Sequence, residues 1–595
     1  MTLLSALTCL FCSLVICLNS CAVPVPSCPG NDCIIFTTPS VNPVQVTLHP
    51  LGVVVGTTAD YAAQRFTLPY ARPPVGALRF SSPQPLAPFN TAVYNATQLP
   101  KACMQQPDAA YGISQDDVSE DCLYLNVFRP SNGGKGMPVL VWVHGGSFVQ
   151  GASTAPGLDG SWLATRYNIV VVTIQYRLGM FGFFSPSGFT DESATASSKV
   201  QGNQGIRDAV QALQFIHDNI GAFGGDPNRV TLAGQSSGAH LIRSLLNAPS
   251  AASLFHRAIL HSDPANFGTQ TLSTSQEVSD YALSQTNCSD LQCLRAMTAA
   301  DLLSTSTATM QAGQSIDSSV AAGEVWRPFI GQLTGAAFEG NPSAASTSKP
   351  IIFTNVENEG GSVVGTMLLP TGTNASTAEL QAYPVTMTRA QLLSQMFNSG
   401  RGESLANATQ YGMDTNTSAY PSPARIELFS QSNDSLRRNL EAVLTQGMFI
   451  CPTWFNAQRY TSRAPAYVAL FEKGMRYPSN ANNDYCTQDG GVCHEDDIQL
   501  VFADPSKVAD AATRKVAKEV QARWAAFATN GDPNTGKYGG WSSVGTSAQS
   551  ARVLRLGASA SRSSAADTIS LQTAQYAGCG QVWHSEVKFD WQLYG

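Results

Sequence analysis

Charge is scarce in this chain: Asp, Glu, Lys and Arg make up 13% of 595 residues, and 35 basic against 42 acidic side chains leave a formal net charge of −7. A basic surface able to hold nucleic acid is therefore missing. With 43% hydrophobic residues, the composition also excludes intrinsic disorder, which needs low hydrophobicity and high net charge. The sequence has no repeat of the roughly 20–50-residue kind, no heptad run and no long block of one charge sign, so solenoids, coiled coils and charged tails are excluded. Beyond residue 22 no uninterrupted apolar run reaches the roughly 20 residues of a bilayer span, and Phe589-Asp590-Trp591-Gln592 is no lipid-anchor tail. No Cys-x-x-Cys pair lies beyond residue 22, and the eight histidines include no His-x-x-x-His pair. Zinc is thus a poor explanation of the cysteines, and no metal or cofactor is expected.

What is present points to an oxidising compartment. Residues 1–22 carry no charged side chain, Leu3 to Leu18 forms an apolar core, and Ser20-Cys21-Ala22 offers small residues for cleavage, which together predict a signal peptide. The alternative is an uncleaved membrane anchor, but the apolar run is short for a span; the missing Lys or Arg before it weakens both readings. Residues 23–43 form a Pro-rich leader. Of fourteen cysteines, Cys9, Cys12, Cys17 and Cys21 would leave with the signal, and the even number that remains suits disulfides. Sequons at Asn95, Asn287, Asn374, Asn407, Asn416 and Asn433 fit a secreted, extracellular glycoprotein without a stable membrane anchor.

Residues 44–595 are expected to form a single α/β domain. Val44 to Val55 alternates and is β-branched, as an edge hairpin would be. Leu123 to Phe128, Val139 to Val143, Ile169 to Ile174 and Val230 to Leu232 are short, continuous and rich in Val and Ile, the pattern of strands buried on both faces. Between the last two, Ile206, Val210, Leu213, Phe215, Ile216 and Ile220 recur at helical spacing until Gly224-Gly225-Asp226-Pro227 breaks the run. The stretch from Ser273 to Pro423 is rich in Ser, Thr, Ala and Gly with weak periodicity, and is expected to form helices and excursions around the sheet.

Two glycine turns carry chemistry. Gly234-Gln235-Ser236-Ser237-Gly238 follows the strand-like Val230 to Leu232 and precedes a helix-competent Ala239 to Leu246. The bare Gly-x-Ser-x-Gly pattern should arise by chance roughly 0.4 times in such a chain, so it is the strand-turn-helix placement that makes Ser236 a candidate nucleophile, with an ordinary glycine-rich turn after a strand as the equal alternative. Val139 to Val143 runs into His144-Gly145-Gly146-Ser147-Phe148, whose amides, if aimed at one point, would stabilise a developing oxyanion. The donors expected are the N–H groups of Gly146, Ser147 and Ser237.

These turns and six further motifs in order make the sequence resemble the type B carboxylesterase and cholinesterase-like lipase family of the α/β-hydrolase superfamily, from about Val46 to Trp541. The further motifs are Phe66 to Gly76, Glu120 to Val127, Tyr176-Arg177-Leu178-Gly179 to Phe183, Phe223 to Pro227, Gly491-Val492-Cys493-His494 and Asn530-Gly531-Asp532-Pro533-Asn534. The resemblance implies an α/β-hydrolase fold, with a large, mostly parallel mixed sheet flanked by helices, and a triad in chain order Ser236, Glu359, His494. Glu357 and Asp496 are the rival carboxylates. It also implies disulfides joining Cys103 to Cys122, Cys288 to Cys293 and Cys451 to Cys579; local pairing of Cys28 with Cys33 and of Cys486 with Cys493 is the simplest use of the rest. Three positions depart from the family pattern: Gln235 stands where Glu is usual, Ser237 where Ala is usual, and Ser147 where a third glycine is usual, which restricts the backbone there.

The expected activity is that of a serine carboxylic ester hydrolase working through an acyl-enzyme on a small-molecule ester, as a monomer or homodimer. The loop between Cys103 and Cys122 is short and carries Asp108, Asp116, Asp117, Glu120 and Asp121. Such a loop binds a lipid interface poorly, favouring soluble to moderately apolar esters; it has no Trp, only Tyr111, to face a quaternary ammonium. A lipase or sterol esterase is the near alternative. A non-catalytic adhesion-type relative is the distant one, disfavoured because Ser236, Glu359 and His494 are all present.

Overall fold

The computed structural model describes residues 44–189, 200, 202–317, 320, 323–330, 348–367, 405, 435–488, 491–545, 552–557, 568–570, 579 and 583. The expected signal peptide, the leader and the Cys28–Cys33 pair lie outside them. Among the described residues the main sheet has thirteen strands, twelve of them along one path: β1 (Val44–Leu48), β2 (Gly52–Ala59), β3 (Ala63–Pro69), β4 (Tyr124–Pro130), β5 (Met137–Val143), β6 (Val170–Ile174), β7 (Gly225–Gln235), β8 (Arg257–His261), β9 (Ile351–Val356), β10 (Ala466–Phe471), β11 (Arg552–Leu556) and β12 (Thr568–Ser570). Their spatial order is β1-β2-β3-β4-β6-β5-β7-β8-β9-β10-β11-β12, with Val93–Asn95 paired beside β2. The N-terminal strands pair antiparallel, as do β4 with β6 and β11 with β12; from β6 through β5, β7, β8, β9 and β10 to β11 the strands run parallel to one another.

The continuous apolar runs are explained by burial on both faces. Along β5, Val139, Val141 and Val143 enter one hydrophobic cluster while Leu140 and Trp142 enter the other, because successive strand side chains point to opposite faces. The same alternation divides Ala258 and Leu260 from Ile259, and Ile351 and Phe353 from Ile352. Helix α1 (Ser161–Tyr167) and the long α4 (Ala511–Asn530), with Leu163, Val520, Trp524 and Phe527, cover the second face; α2 (Gln204–Asn219), with Ile206, Leu213 and Ile216, and α3 (Ser237–Leu245) cover the first. The parallel order brings the C-terminal ends of β5, β7, β8, β9 and β10 to one edge, the position where open α/β sheets bind ligands.

One motif of the sequence holds the fold from within. Arg177, just after β6, donates from Nε and Nη2 to Asp208 of α2 at 2.7 Å each, and its backbone N–H reaches the same carboxylate at 3.0 Å. Both side chains are buried. Removing one partner of such a pair strands a charge without solvent, so Arg177→Met will destabilise the protein by about 3–5 kcal/mol. The urea midpoint measures this, and an unchanged midpoint would refute it.

Candidate active site

β7 leads directly into Ser236, whose φ of 56° and ψ of −127° depart from any regular strand or helix, and α3 begins at the next residue. A side-chain-bearing residue in this conformation costs on the order of 1–3 kcal/mol, maintained here by its surroundings. Ser236 N–H donates to the carbonyl of His261 at the end of β8 (2.9 Å), and the Ser236 carbonyl accepts from His240 N–H (3.0 Å). Close approach explains the second glycine of the motif: a Cβ on Gly238 would lie 2.3 Å from the Val143 oxygen and 2.5 Å from that of His144. The elbow is thus pressed against the end of β5, with Ser236 9% exposed.

The end of β5 forms the second turn. Gly146 has φ 103°, and a Cβ there would meet the Gln150 carbonyl oxygen at 2.2 Å. Ser147, at the position where the resemblance suggests a third glycine, takes φ 53°, and Phe148 takes φ 60°. The restriction expected of Ser147 is therefore met by adopting the left-handed region, which only glycine enters without strain. Among the described residues, the N–H groups of Gly146, Ser147 and Ser237 donate to no protein acceptor. The Ser237 hydroxyl has a role that the sequence did not reveal: it accepts from Phe148 N–H at 3.2 Å and so ties the two turns together. His144 is stacked on Tyr176 at 4.5 Å, with the Tyr176 hydroxyl donating to the His144 carbonyl (2.9 Å). Burial pushes the His144 imidazole down to about 4, partly offset by its bond to the Gly145 carbonyl, so this ring is a neutral structural group.

The carboxylate and the imidazole come from loops after β9 and β10. Asn358 N–H donates to the Val492 carbonyl (2.9 Å), and Val492 N–H returns a bond to the Asn358 side chain (3.1 Å), which zips the two loops together. His494 Nδ1–H then donates to Glu359 Oε2 at 2.6 Å, while Glu359 Oε1 accepts from Val356 N–H (2.9 Å) and Asn355 Nδ2 (3.2 Å). Burial lowers the His494 pKa, but the bond to Glu359 and the charges of Glu359, Glu495 and Asp497 outweigh it, and the net shift is upward. The rival Asp496 faces the inside of its own loop, accepting from Tyr477 N–H (2.8 Å) and Cys493 N–H (2.9 Å) and pairing with Arg476. Burial pushes it up to about 6 against those bonds.

The expected line from hydroxyl through imidazole to carboxylate is only half made. Among the described residues Ser236 Oγ has no hydrogen bond to His494; Nε2 of the ring instead faces Gln235 Nε2 at 3.0 Å. Other contacts of the histidine loop were invisible in the sequence. Asp497 accepts from His261 Nδ1–H at 2.6 Å, and His261 Nε2 accepts from Trp524 Nε1–H at 2.9 Å, anchoring the loop to β8 and α4. Glu495 accepts from the Tyr111 hydroxyl at 2.6 Å, and the Phe449 ring lies 5.0 Å from the His494 ring. Disulfides join Cys103–Cys122, Cys288–Cys293, Cys451–Cys579 and Cys486–Cys493; the last ends one residue before His494. Among the described residues, no group of three or more metal-binding side chains occurs.

Residues 42–575 match the profile of the carboxylesterase family. The chain belongs to that family. As a carboxylesterase it is similar to a para-nitrobenzyl esterase of Bacillus subtilis (strain 168), 38% identical over 262 residues that make up 44% of this chain and 52% of the relative. It is 30% identical over 539 residues to carboxylesterase 1F of Mus musculus, covering 84% and 88% of the two chains. A solved PNB esterase superposes with a TM-score of 0.66 at 25% identity over 90% of this chain and 99% of that one. The mixed sheet with helices on both faces is accordingly the α/β-hydrolase fold, and the carboxylesterase is a carboxylic ester hydrolase.

Proposed function

We propose that this carboxylesterase cleaves soluble to moderately apolar carboxylic esters through an acyl-enzyme formed on Ser236. The observation that carries the reading is the convergence of a strained serine, three undonated amides and an imidazole bonded to a buried glutamate on one sheet edge. Ser236 Oγ attacks the ester carbonyl as His494 Nε2 takes its proton; the oxyanion is met by the N–H groups of Gly146, Ser147 and Ser237. His494 then protonates the departing alkoxide, Glu359 stabilises the imidazolium, and water activated by the same ring releases the acid.

Substrate class follows from the loop between Cys103 and Cys122. A lid that opens at a lipid surface must be free to move, and this loop is held at many points. Ala102–Cys103 pairs with Val118–Ser119, Asp108 bridges Ile113, Glu120 takes two bonds of 2.6 Å from Arg79, and Tyr111 is bonded to Glu495. Across a series of p-nitrophenyl esters from acetate to palmitate, kcat/KM will peak below the long chains, and rates will rise smoothly through the micelle concentration. A sharp jump above that concentration, with preference for palmitate, would favour a lipase or sterol esterase instead.

The reading includes secretion as a glycoprotein. It is supported by four disulfides and by exposed sequon asparagines at Asn95 and Asn287; the other four sequons lie outside the described residues. Among those residues no helix is long and apolar enough to cross a membrane.

A further inference from the structure

Gln235 is the last residue of β7, completely buried, and its side-chain nitrogen lies 3.0 Å from Nε2 of His494. Its Oε1 is buried as well and has no hydrogen-bond partner among the described residues. That oxygen sits against the second glycine turn, where a Cβ on Gly145 would come within 2.8 Å of it. A buried amide oxygen without a partner costs free energy, so its retention beside a proton-transferring nitrogen calls for a chemical reason.

The tautomer supplies one. With Nδ1–H committed to Glu359, the neutral ring carries a lone pair on Nε2, and the donor facing it before the Ser236 proton arrives is an N–H of Gln235. Once Nε2 is protonated the requirement inverts, and only an acceptor will do. A carboxamide meets both needs by half a turn about its last bond, and because Oε1 has no bond to lose, the turn breaks nothing on that side.

We propose that Gln235 is a catalytic residue that follows the proton on His494: a donor to the neutral ring at rest and an acceptor from the imidazolium during each acyl-transfer step. The inference rests on the Ser236–His494–Glu359 reading and deepens it. In acylation, the Oγ–H bond of Ser236 breaks as its electron pair forms the bond to the ester carbon, whose π pair moves to the oxygen; the proton passes to Nε2. The Nε2–H so formed is shared between the leaving alkoxy oxygen and Gln235 Oε1. When the C–O bond breaks, the proton leaves with the alcohol and the amide turns back. Gln235 gains and loses no atoms.

The same geometry states what the amide changes relative to the usual carboxylate. Four carboxyl groups already act on the imidazole: Glu359 by direct bond, and Glu495, Asp497 and Glu324 at longer range. Burial pushes Glu324 up to about 8, so it remains mostly protonated near neutral pH. A carboxylate at 235, the residue usual in the family, would add a negative charge beside Nε2 and raise its affinity for the proton. The amide follows the proton without adding a charge beside the ring.

The test is the pH dependence of kcat and KM for Gln235→Glu and Gln235→Met, each titrated with an organophosphonate to count reactive Ser236. Labelling establishes that the variant is folded and its nucleophile accessible. Gln235→Glu should move the ascending limb of the kcat profile up by about one pH unit. Gln235→Met, which keeps the length but neither donates nor accepts strongly, should lower kcat about 10- to 100-fold while KM changes less than about twofold. An unmoved limb in the first variant, or an unchanged kcat in the second, overturns the proposal. Failure of the parent reading is distinguishable, because it would appear as retained activity in Ser236→Ala whatever the Gln235 variants do.

Discussion

Ser236→Ala will lower kcat by about a million-fold for a p-nitrophenyl ester, and the variant will take up no organophosphonate. The size follows from the nucleophile and base acting as one unit: without Oγ the imidazole has no proton to take, and the triad contribution is lost whole. What survives is binding and the amide donors, which in serine hydrolases of this kind leave about 10³–10⁴-fold over water. Structure should survive too. Alanine at φ 56° is no more strained than serine, the Ser236 backbone bonds to His261 and His240 do not involve the hydroxyl, and no packing volume is created. Intact mass after labelling, together with an unchanged urea midpoint, separates loss of chemistry from loss of fold. Near-normal hydrolysis by the variant would remove Ser236 from the mechanism.

How much of this was legible beforehand depended on how local the signal was. The central strands were readable because burial on both faces leaves continuous runs such as Val139 to Val143 and Ile169 to Ile174, which the structure places in β5 and β6. The helix from Gln204 was readable because one apolar stripe faces the sheet. The region after Ser273 was opaque for a physical reason. Helices Leu272–Ser284 and Ala299–Ile316 bury Ser275, Ser279, Ser306 and Thr309, and hydroxyls that bond back to a carbonyl one turn earlier can pack as small residues. Ser279 reaches the Ser275 carbonyl (2.8 Å) and Thr309 that of Thr305 (2.9 Å). A periodicity built on Leu and Ile misses such a face. The carboxylate of the site came from resemblance and not from pattern, since Glu359 and His494 stand 135 residues apart and meet only because parallel β9 and β10 end side by side. Gln235 was visible as a missing charge. Its contact with Nε2 was not, because nothing in a sequence states which way an amide at the end of a strand will turn.

Glu359→Gln will cut kcat by about 10⁴-fold while leaving KM nearly unchanged. The argument turns on a single proton. Oε1 of a glutamine at 359 would keep the bonds from Val356 N–H and Asn355 that Glu359 now accepts, which points the amide N–H at His494 Nδ1. The ring must then carry its own proton on Nε2, and the lone pair that should receive the Ser236 proton is gone. Charge acts in the same direction. The bond and charge of Glu359 help to raise the His494 pKa against its burial, so removing them lowers the pKa, moves the ascending limb of the pH profile to lower pH, and leaves the imidazolium without its counter-charge. The expected signature is therefore a depressed plateau with an acid limb shifted downward, opposite in direction to that of Gln235→Glu. Asp496→Asn should not reproduce it, because Asp496 bonds Tyr477, Cys493 and Arg476 and reaches the ring only through the loop. If Glu359→Gln keeps the wild-type plateau while Asp496→Asn or Glu357→Gln abolishes it, the carboxylate of the triad has been assigned to the wrong residue.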